Sequence, residues 1–435
     1  MAELLPFKAF RYDTNQVKLG DVLTQPYDKI TPEMQARYYE LNPHNIVRII
    51  LGKAGETDTE GFNIYTRAAE YFHDWRSSGV LRQDNEPSFY VYSQTFAIPG
   101  LRDVAERRCL IARGRIYDYA ENVVFPSEQT LSRPKLDRLN LLRATKANFG
   151  QILMLYSDPA GSIQALLKEK TEGDPDDSVL DEHEVLHRLW KISDPPFISV
   201  IQEQMREKKL MIADGHHRYD TALAYRNEAR EQSGSSDRNA PYEFTMMTLG
   251  SMEDRGLVIL PTHRIVHGLN SFDRERMLDE ARSFFDIDRI DLRAENRSAT
   301  TLLSEAGENG NTAFVAVTRQ GPYLLRAKKR VIQETMAALP ERQRALDVVQ
   351  LHKILFERVL GISEQSVRDE ENVRFERDAF EAISWVRQGA NVAFLMNPAR
   401  IEQVREVAFS GGLLPQKSTD FYPQLLSGLT IYALE

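Results

Sequence analysis

Short apolar segments and longer amphipathic segments alternate along the whole chain. The short segments are rich in β-branched and aromatic residues, as buried strands are. The longer segments carry apolar residues at helical spacing and predict amphipathic helices. Predicted strands lie at 89–96, 108–117, 152–156, 210–213, 244–249, 312–317 and 392–396, and predicted helices at 32–41, 63–76, 198–208, 219–231, 274–285, 341–359, 376–387 and 399–409. The alternation predicts an α/β (mixed α+β) fold.

Composition narrows the class of protein. Of 435 residues, 42% are hydrophobic and 27% charged, which is ordinary for a globular protein. The 55 Lys and Arg against 64 Asp and Glu give a net charge of −9, which argues against a general nucleic-acid binder. Cys109 is the only cysteine, so no intrachain disulfide can form. Because the sequence also shows neither a signal peptide nor an 18-residue apolar run, we expect a cytoplasmic protein without a membrane span.

The length allows two or three domains. Gly and Asp accumulate at 172–177, and this stretch is the one plausible domain boundary that the composition marks. We therefore expect an N-terminal α/β region over 1–175, a core region over 176–270 and a C-terminal α/β region over 271–435.

The most informative segment is Asp-Gly-His-His-Arg at 214–218. The predicted strand 210–213 runs directly into it, and an amphipathic helix follows. A strand, a glycine turn and a helix start point backbone N–H groups and the positive end of the helix dipole at an anion. The alternative is a plain turn whose aspartate caps the helix and whose histidines lie on the surface. Five chemically versatile residues in one turn favour a functional site.

Each residue of this turn has a chemical role to offer. Gly215 permits a tight turn and a close approach by a ligand. Asp214 can hold a metal ion or act as a general base, and the imidazoles of His216 and His217 offer acid–base chemistry near neutral pH. Arg218 carries a forked donor that suits phosphate or carboxylate.

Residues 213–223 resemble the signature of an uncharacterised bacterial and archaeal family, domain of unknown function 1015. Further segments resemble the same family, and together they span nearly the whole chain. These segments are 25–28, 42–48, 142–149, 260–264, 346–347 with 351–352, and 415–423. One departure is that Ser127 stands where we expect a histidine, before Glu128 and Thr130, so any role of that histidine is absent here.

The Asp-Gly-His-His-Arg turn is also similar to the nucleotide-binding signature of the ParB/sulfiredoxin fold, which includes free serine kinases. The resemblance implies a ParB/sulfiredoxin-like nucleotide-binding core over 176–270, with additional α/β elements. It implies that Gly215, His216, His217 and Arg218 hold nucleotide phosphates, and that Asp214 assists the reacting hydroxyl or the metal. Sulfiredoxins carry a reactive cysteine in this turn; here His216 stands there, so sulfinic acid reduction is not expected.

Phosphoryl transfer needs further cationic and hydroxyl groups, and usually Mg²⁺. We expect Mg²⁺ and a nucleotide (ATP, ADP or CTP) as cofactors. Glu128 is the candidate second carboxylate, as general base or metal ligand. Candidates for phosphate binding are Lys417, Ser418 and Thr419, and candidates for substrate binding are Arg48, Thr130, Arg143, Lys146, His263 and Arg264.

Two motif matches carry little weight. Residues 183–187 match the zinc-protease pattern His-Glu-x-x-His, but that pattern needs a helix and this stretch also fits a strand beside a turn. Residues 411–418 are one residue away from a Walker A loop, but a helix is predicted before them where a P-loop needs a strand.

The leading hypothesis is a nucleotide-dependent phosphotransferase or phosphatase that acts on a small hydroxylated metabolite, with serine or phosphoserine as first candidate. A second is a ParB-like nucleotide- or DNA-binding regulator. A third is a metal-dependent hydrolase that uses His216 and His217 with Asp214. The sequence does not determine the oligomeric state.

Overall fold

The alternating pattern folds into a mixed α/β structure, as predicted. The structure is a computed structural model, and it describes residues 1–101, 103–128, 132–234, 237–291 and 298–435. The described residues form two compact units. Unit 1 consists of 1–126, 132–258 and 421–435, and unit 2 consists of 127–128 and 259–420.

The strands are two to twelve residues long. They are β1 (Leu4–Leu5), β2 (Phe10–Tyr12), β3 (Leu81–Gln83), β4 (Phe89–Ala97), β5 (Val104–Arg115), β6 (Val124–Pro126), β7 (Ala147–Asn148), β8 (Ile152–Tyr156), β9 (Asp177–Leu180), β10 (Leu186–Ile192), β11 (Leu210–Asp214), β12 (Phe244–Ser251), β13 (Val258–Leu260), β14 (His263–Val266), β15 (Phe285–Arg289), β16 (Ala313–Thr318), β17 (Gly321–Ala327), β18 (Val373–Glu376), β19 (Val392–Met396), β20 (Asp420–Tyr422) and β21 (Tyr432–Ala433).

The helices range from one turn to five turns. They are α1 (Leu19–Val22), α2 (Pro32–Leu41), α3 (Val47–Ile50), α4 (Ile64–Ser77), α5 (Ser132–Thr145), α6 (Ser162–Glu169), α7 (Pro195–Met205), α8 (His216–Ser233), α9 (Arg274–Ala281), α10 (Ala299–Ala306), α11 (Lys329–Thr335), α12 (Glu341–Arg344), α13 (Asp347–Gln350), α14 (Glu364–Arg368), α15 (Ala379–Arg387) and α16 (Ile401–Phe409), with a π-helix at Leu351–Leu360. Among the helices of the described residues, none has both the length and the apolar character needed to span a bilayer.

A nine-stranded mixed sheet organises unit 1. Its order is β6-β11-β8-β12-β5-β4-β10-β9, and β1 pairs with β5 at the side of this path. The pairs β6–β11 and β8–β12 are parallel, and the other pairs are antiparallel. Strands from before and after residue 175 therefore share one sheet. The five residues of β8 are all buried, as in a strand that helices or loops cover on both faces.

A six-stranded antiparallel sheet organises unit 2, in the order β15-β17-β16-β19-β14-β18. Its central strands β16 and β19 are buried along their whole length. The core on one side of this sheet includes Leu303 of α10 and Val386 of α15.

Some helix boundaries agree with those predicted from the sequence, and others differ. Thr31 caps α2 by accepting from the Met34 backbone N–H at 3.3 Å, with Pro32 at the first helical position, as its sequence suggests. The predicted helix 341–359 is instead three pieces, α12, α13 and the π-helix, because Leu346 is extended between the first two. Helix α8 begins at His216, three residues before its predicted start.

Candidate functional site

The turn between β11 and α8 is built by one glycine. Gly215 has φ +91°, in the left-handed region that favours glycine, and it is the N-cap of the 18-residue helix α8. A Cβ atom at this position would lie 3.0 Å from the Nε of Arg218. The glycine therefore allows both the turn and the close approach of a guanidinium to the backbone. His216 and His217 are the first two residues of α8, at the positive end of its dipole.

Asp214 and Arg218 form an ion pair across this turn. The Nη2 of Arg218 donates to Oδ2 of Asp214 at 2.6 Å, and its Nη1 donates to the backbone carbonyl of Gln151. The Arg218 side chain is 13% exposed and that of Asp214 is 26% exposed. A guanidinium has five N–H donors, so Arg218 can donate to an anion while it holds both of these partners.

Nearby charges keep both groups ionised at neutral pH. Burial opposes ionisation of Asp214, but Arg218, Lys29 and His216 together outweigh it and lower the pKa of the carboxyl group. Burial also opposes the charge of Arg218, but Asp214, Asp28 and Tyr27 raise its pKa. The turn therefore presents an ionised carboxylate beside a permanent cation.

A cleft opens beside this pair, entirely within unit 1, and the space in it that water-sized molecules can reach is about 70 Å³. Most of its wall is apolar, and Arg218 is one of two guanidinium groups that line it. Its fifteen lining residues are Pro26, Tyr27, Ile50, Arg138, Leu141, Leu142, Ala147, Asn148, Phe149, Gly150, Ile152, Arg218, Thr221, Thr245 and Ser427.

Arg138 and Tyr27 form one side of the cleft. The guanidinium of Arg138 lies 4.1 Å from the centre of the Tyr27 ring, and its Nη1 donates to the backbone carbonyl of Ile50 at 2.6 Å. Burial, reinforced by Asp28, raises the pKa of Tyr27 to about 12, although Arg138 and Arg218 oppose this shift. Tyr27 is therefore a neutral phenol at physiological pH.

Unit 2 contains a second cluster of the residues that the sequence singles out. The Glu128 carboxylate accepts from the Lys417 backbone N–H at 3.2 Å, and from both the N–H and the Oγ1 of Thr419 at 2.9 and 2.7 Å. The Ser418 hydroxyl donates to the backbone carbonyl of Pro415. In unit 2, Glu128 therefore holds the loop 415–419 in place.

Arg264 and His263 are buried in this second cluster. Arg264 donates to the backbone carbonyls of Lys417, at 2.9 Å, and of Thr262. Burial lowers the pKa of Arg264 to about 9, although Glu128 opposes the shift. Burial, with Arg264 adjacent, lowers the pKa of His263 to about 4, and its Nδ1 accepts from the Met396 backbone N–H at 3.3 Å. His263 is therefore a neutral imidazole at physiological pH.

The family model described as "Protein of unknown function (DUF1015)" matches residues 4–349, well over half of the chain. The chain belongs to this family. No curated protein matches the sequence.

Solved structures give distant likenesses. A conserved hypothetical protein from Pyrococcus furiosus is 11% identical with a TM-score of 0.33, covering 72% of this chain and 90% of that one. A mutant free serine kinase in complex with ADP is 10% identical with a TM-score of 0.34, covering 72% and 87%. SbnI from Staphylococcus aureus with a C-terminal truncation is 10% identical with a TM-score of 0.37, covering 73% and 85%.

The DUF1015 match contains the whole turn 214–218 and all of the cleft lining except Ser427. Three of the family-like segments meet at the cleft: 25–28, 142–149 and 213–223. Tyr27, Arg138 and Asn148 line it although the sequence analysis did not name them as site residues. The signal for Tyr27 and Asn148 was their place in those segments, whereas Arg138 lies in α5, which was not predicted.

Arg218 is the one residue of the turn among those that line the cleft, and other predicted site residues also lie outside the lining. Arg48 donates to the Tyr39 backbone carbonyl at 2.8 Å and lies 4.4 Å from the centre of its ring. Arg143 forms an exposed ion pair with Glu228 at 2.7 Å. Lys146 follows the end of α5 with φ +49°. Thr130 lies outside the described residues.

Neither of the two weak motif matches has the structure that its motif needs. Residues 183–187 form a turn and the start of β10, and His187 is buried between Asp181 at 3.1 Å and the Tyr92 hydroxyl at 2.6 Å. Residues 411–418 follow α16 and do not begin a helix. In the parts of the chain that the structure describes, no three His, Cys, Asp or Glu side chains group closely enough to hold a metal ion.

Proposed function

We propose that the cleft of unit 1 binds a nucleotide and that the protein transfers a phosphoryl group between this nucleotide and a small hydroxylated metabolite. Serine or phosphoserine is the first candidate, from the likeness of the turn to free serine kinases. One observation carries the proposal: Arg218, fixed by Asp214 at the start of α8, lines an otherwise mainly apolar cleft.

The cleft has the two environments that a nucleotide needs. Its apolar wall, with the rings of Tyr27 and Phe149, suits a nucleobase. Arg218, in the first turn of α8, suits phosphates, because a guanidinium donates to anionic oxygens. A ligand with an apolar base and an anionic tail therefore matches the cleft better than a purely anionic one.

The residues of the turn fit a Mg²⁺ ion of the kind that nucleotides carry. Such an ion takes one or two protein carboxylates and completes its shell with phosphate oxygens and water. Asp214, which is ionised and partly exposed, is the carboxylate that this turn supplies. When bound, Mg²⁺ neutralises charge on the phosphates.

Transfer joins the hydroxyl oxygen of the metabolite to the terminal phosphorus, and the bond from that phosphorus to the bridging oxygen of the nucleotide breaks. The hydroxyl proton passes to an imidazole of the turn, either His216 or His217, because histidine is a common general base in proton transfer. Arg218 stabilises the charge that develops on the phosphoryl oxygens. The reverse direction uses the same groups.

Binding is tested by thermal unfolding with ATP, ADP or CTP in the presence of Mg²⁺. At about 100 times its Kd, the correct nucleotide adds about 2.7 kcal/mol of apparent stability. We expect this increase in the wild type, its loss in Arg218→Ala and its retention in Arg206→Ala, which removes an exposed arginine of the same unit. Phosphoryl transfer to serine, followed by phosphorus NMR, should disappear in Asp214→Asn. An unchanged Tm with all three nucleotides would refute the proposal.

A further inference from the structure

Asn148 places a side-chain amide on the wall of the cleft. It is the second residue of β7, and β7 is held by antiparallel pairing with β21. The Oδ1 atom of Asn148 accepts two hydrogen bonds, from the Met246 backbone N–H at 3.0 Å and from the Thr245 hydroxyl at 3.1 Å. Both partners lie on β12 in the nine-stranded sheet, so the amide is fixed against a rigid element.

These two bonds determine which way the amide faces. The oxygen and nitrogen of an asparagine are interchangeable in shape, so their assignment depends on their hydrogen bonds. A backbone N–H can only donate, so the atom that faces Met246 must be Oδ1. The Nδ2 group therefore points away from β12, and no hydrogen bond joins it to the described residues. Asn148 can donate to a ligand in the cleft but cannot accept from it.

The two guanidinium groups of the cleft are donors, like the Nδ2 group of Asn148. Arg138 and Arg218 are donors only, and no Asp or Glu is among the fifteen lining residues that the structure describes. The Thr245 hydroxyl donates its proton to Asn148, and the Thr221 hydroxyl donates to the backbone carbonyl of Lys135 at 3.5 Å, so neither is a donor for a ligand. The complement of the amide and the two guanidinium groups is a ligand that presents acceptor atoms.

Asn148 lies close along the chain to the residue that meets Arg218. Gly150, two residues further along the chain, lies beside Arg218: a Cβ atom there would be 3.6 Å from Nη1. Two residues of chain span at most about 7 Å. Ala147 and Phe149, which flank Asn148 in the chain, also line the cleft, so the amide lies in an apolar stretch that suits the base of a nucleotide.

We propose that Asn148 is a specificity-determining residue, which recognises the nucleobase by donating from Nδ2 to a base acceptor, either a carbonyl oxygen or an unprotonated ring nitrogen. This inference rests on the proposed nucleotide site and names the group that reads the base. Thr245 is a positioning residue, because its hydroxyl keeps the acceptor of the amide occupied.

The test is calorimetric titration of the full chain with ATP, ADP and CTP, and with inorganic tripolyphosphate, which has no base. Asn148→Asp keeps an oxygen that accepts from Met246 and Thr245, but it turns an acceptor toward the ligand. Asn148→Ala removes the donor without adding charge. Asn140→Asp makes the same chemical change on α5, outside the cleft lining, and is the matched control.

We expect Asn148→Ala to weaken binding of the preferred nucleotide about tenfold, as for the loss of one hydrogen bond. Asn148→Asp should weaken it further, by about thirtyfold or more, and should weaken tripolyphosphate much less. Asn140→Asp should leave both affinities within about twofold. The inference is overturned if Asn148→Asp binds the nucleotide as well as the wild type, or if Asn148→Ala leaves its affinity unchanged. If the wild type binds none of the three nucleotides, the proposed function itself fails.

Discussion

Two arginines of this protein are both withdrawn from solvent, and their pKa values shift in opposite directions. Arg218 in unit 1 has a carboxylate partner at 2.6 Å, and its pKa is raised. Arg264 in unit 2 donates to two backbone carbonyls, and its pKa falls to about 9. Burial penalises the charge of both, so the difference comes from the partner: an ion at hydrogen-bonding distance offsets desolvation, and neutral carbonyl dipoles do not.

Arg218 is placed where it can contact a ligand, whereas Arg264 is enclosed by protein. Arg218 remains fully charged, partly exposed and beside a cleft. Arg264 is completely buried, next to the neutral imidazole of His263 and a loop that Glu128 holds. The same residue type therefore supplies a charge that a ligand can reach in unit 1, and a buried charge that desolvation disfavours in unit 2.

The largest effect we expect is a pH dependence that originates in unit 2. The pKa of His263 is about 4 when folded and near 6.5 when unfolded, so between pH 6.5 and 4 the unfolded chain binds more protons. The free energy of unfolding should therefore fall by up to about 3 kcal/mol over this window because of His263 alone. In His263→Asn, whose Oδ1 can still accept from Met396, urea unfolding at pH 7, 6, 5 and 4 should show a shallower decline.

Asp347 provides a control, because its effect on the pH dependence of the unfolding free energy has the opposite sign. Burial raises the pKa of Asp347 to about 6, so the folded state keeps a proton that the unfolded state releases between pH 3.8 and 6. This group adds stability as the pH falls through 6. Asp347→Asn should therefore make the acid decline steeper. Identical slopes for wild type and His263→Asn would contradict the burial of a neutral histidine.

The next effect tests the two arginines directly. Arg218→Met leaves the Asp214 carboxylate without its cation and should cost about 2 kcal/mol of unfolding free energy at pH 7. Arg264→Met removes a desolvated charge that has no carboxylate bonded to it, and should change stability by less than about 1 kcal/mol. Chemical denaturation measures both.

The cost of Arg218→Met should also depend on pH. The folded pKa of Asp214 is lowered, so the stability that its charge contributes is present above about pH 4 and is lost as the pH falls through the folded pKa. The two methionine variants should therefore converge in acid. If both variants lost the same free energy of unfolding at pH 7, the carboxylate partner of Arg218 would not be what distinguishes it from Arg264.

The smallest effect concerns the loop that Glu128 holds. Thr419→Val removes the hydroxyl bond at 2.7 Å but keeps the backbone bond at 2.9 Å, and should cost about 1 kcal/mol. Thr419→Ser should restore most of the loss, because serine keeps the hydroxyl. If Thr419→Val were as stable as the wild type, the side chain would not help to fix this loop.

The strand and turn before the candidate site could be predicted because local residues determine them. The apolar run at 210–213 has the pattern of a buried strand, and Gly215 is the residue that the left-handed turn requires. The start of α8 was misplaced because His216, His217 and Arg218 are polar, so they contribute no apolar periodicity. Helix α5 was missed because it is mostly polar and has a proline as its third residue, which a first helical turn tolerates.

The cleft itself could not be predicted because it depends on contacts between distant parts of the chain. Tyr27, Asn148 and Arg218 meet only once β7, α8 and the 3₁₀ turn Tyr27–Lys29 are in place. Helix α5 illustrates the difficulty: Arg143 lies in the family-like segment 142–149, but it is Arg138, outside that segment, that lines the cleft. Five residues apart on a helix, the two side chains point about 140° away from each other. A motif does not say which face of its helix is turned inward.

The C-terminal segment Phe421–Glu435 has a consequence for the order in which the protein is made. It belongs to unit 1, where Tyr432 pairs with Asn148 and Ser427 lines the cleft, although the residues of unit 2 precede it in the chain. During translation the ribosome therefore releases Ile259–Asp420 before the last strand of unit 1 exists. Domains fold as units while they emerge. A nascent chain would thus complete the cleft only after the inserted unit has been made and has had time to fold.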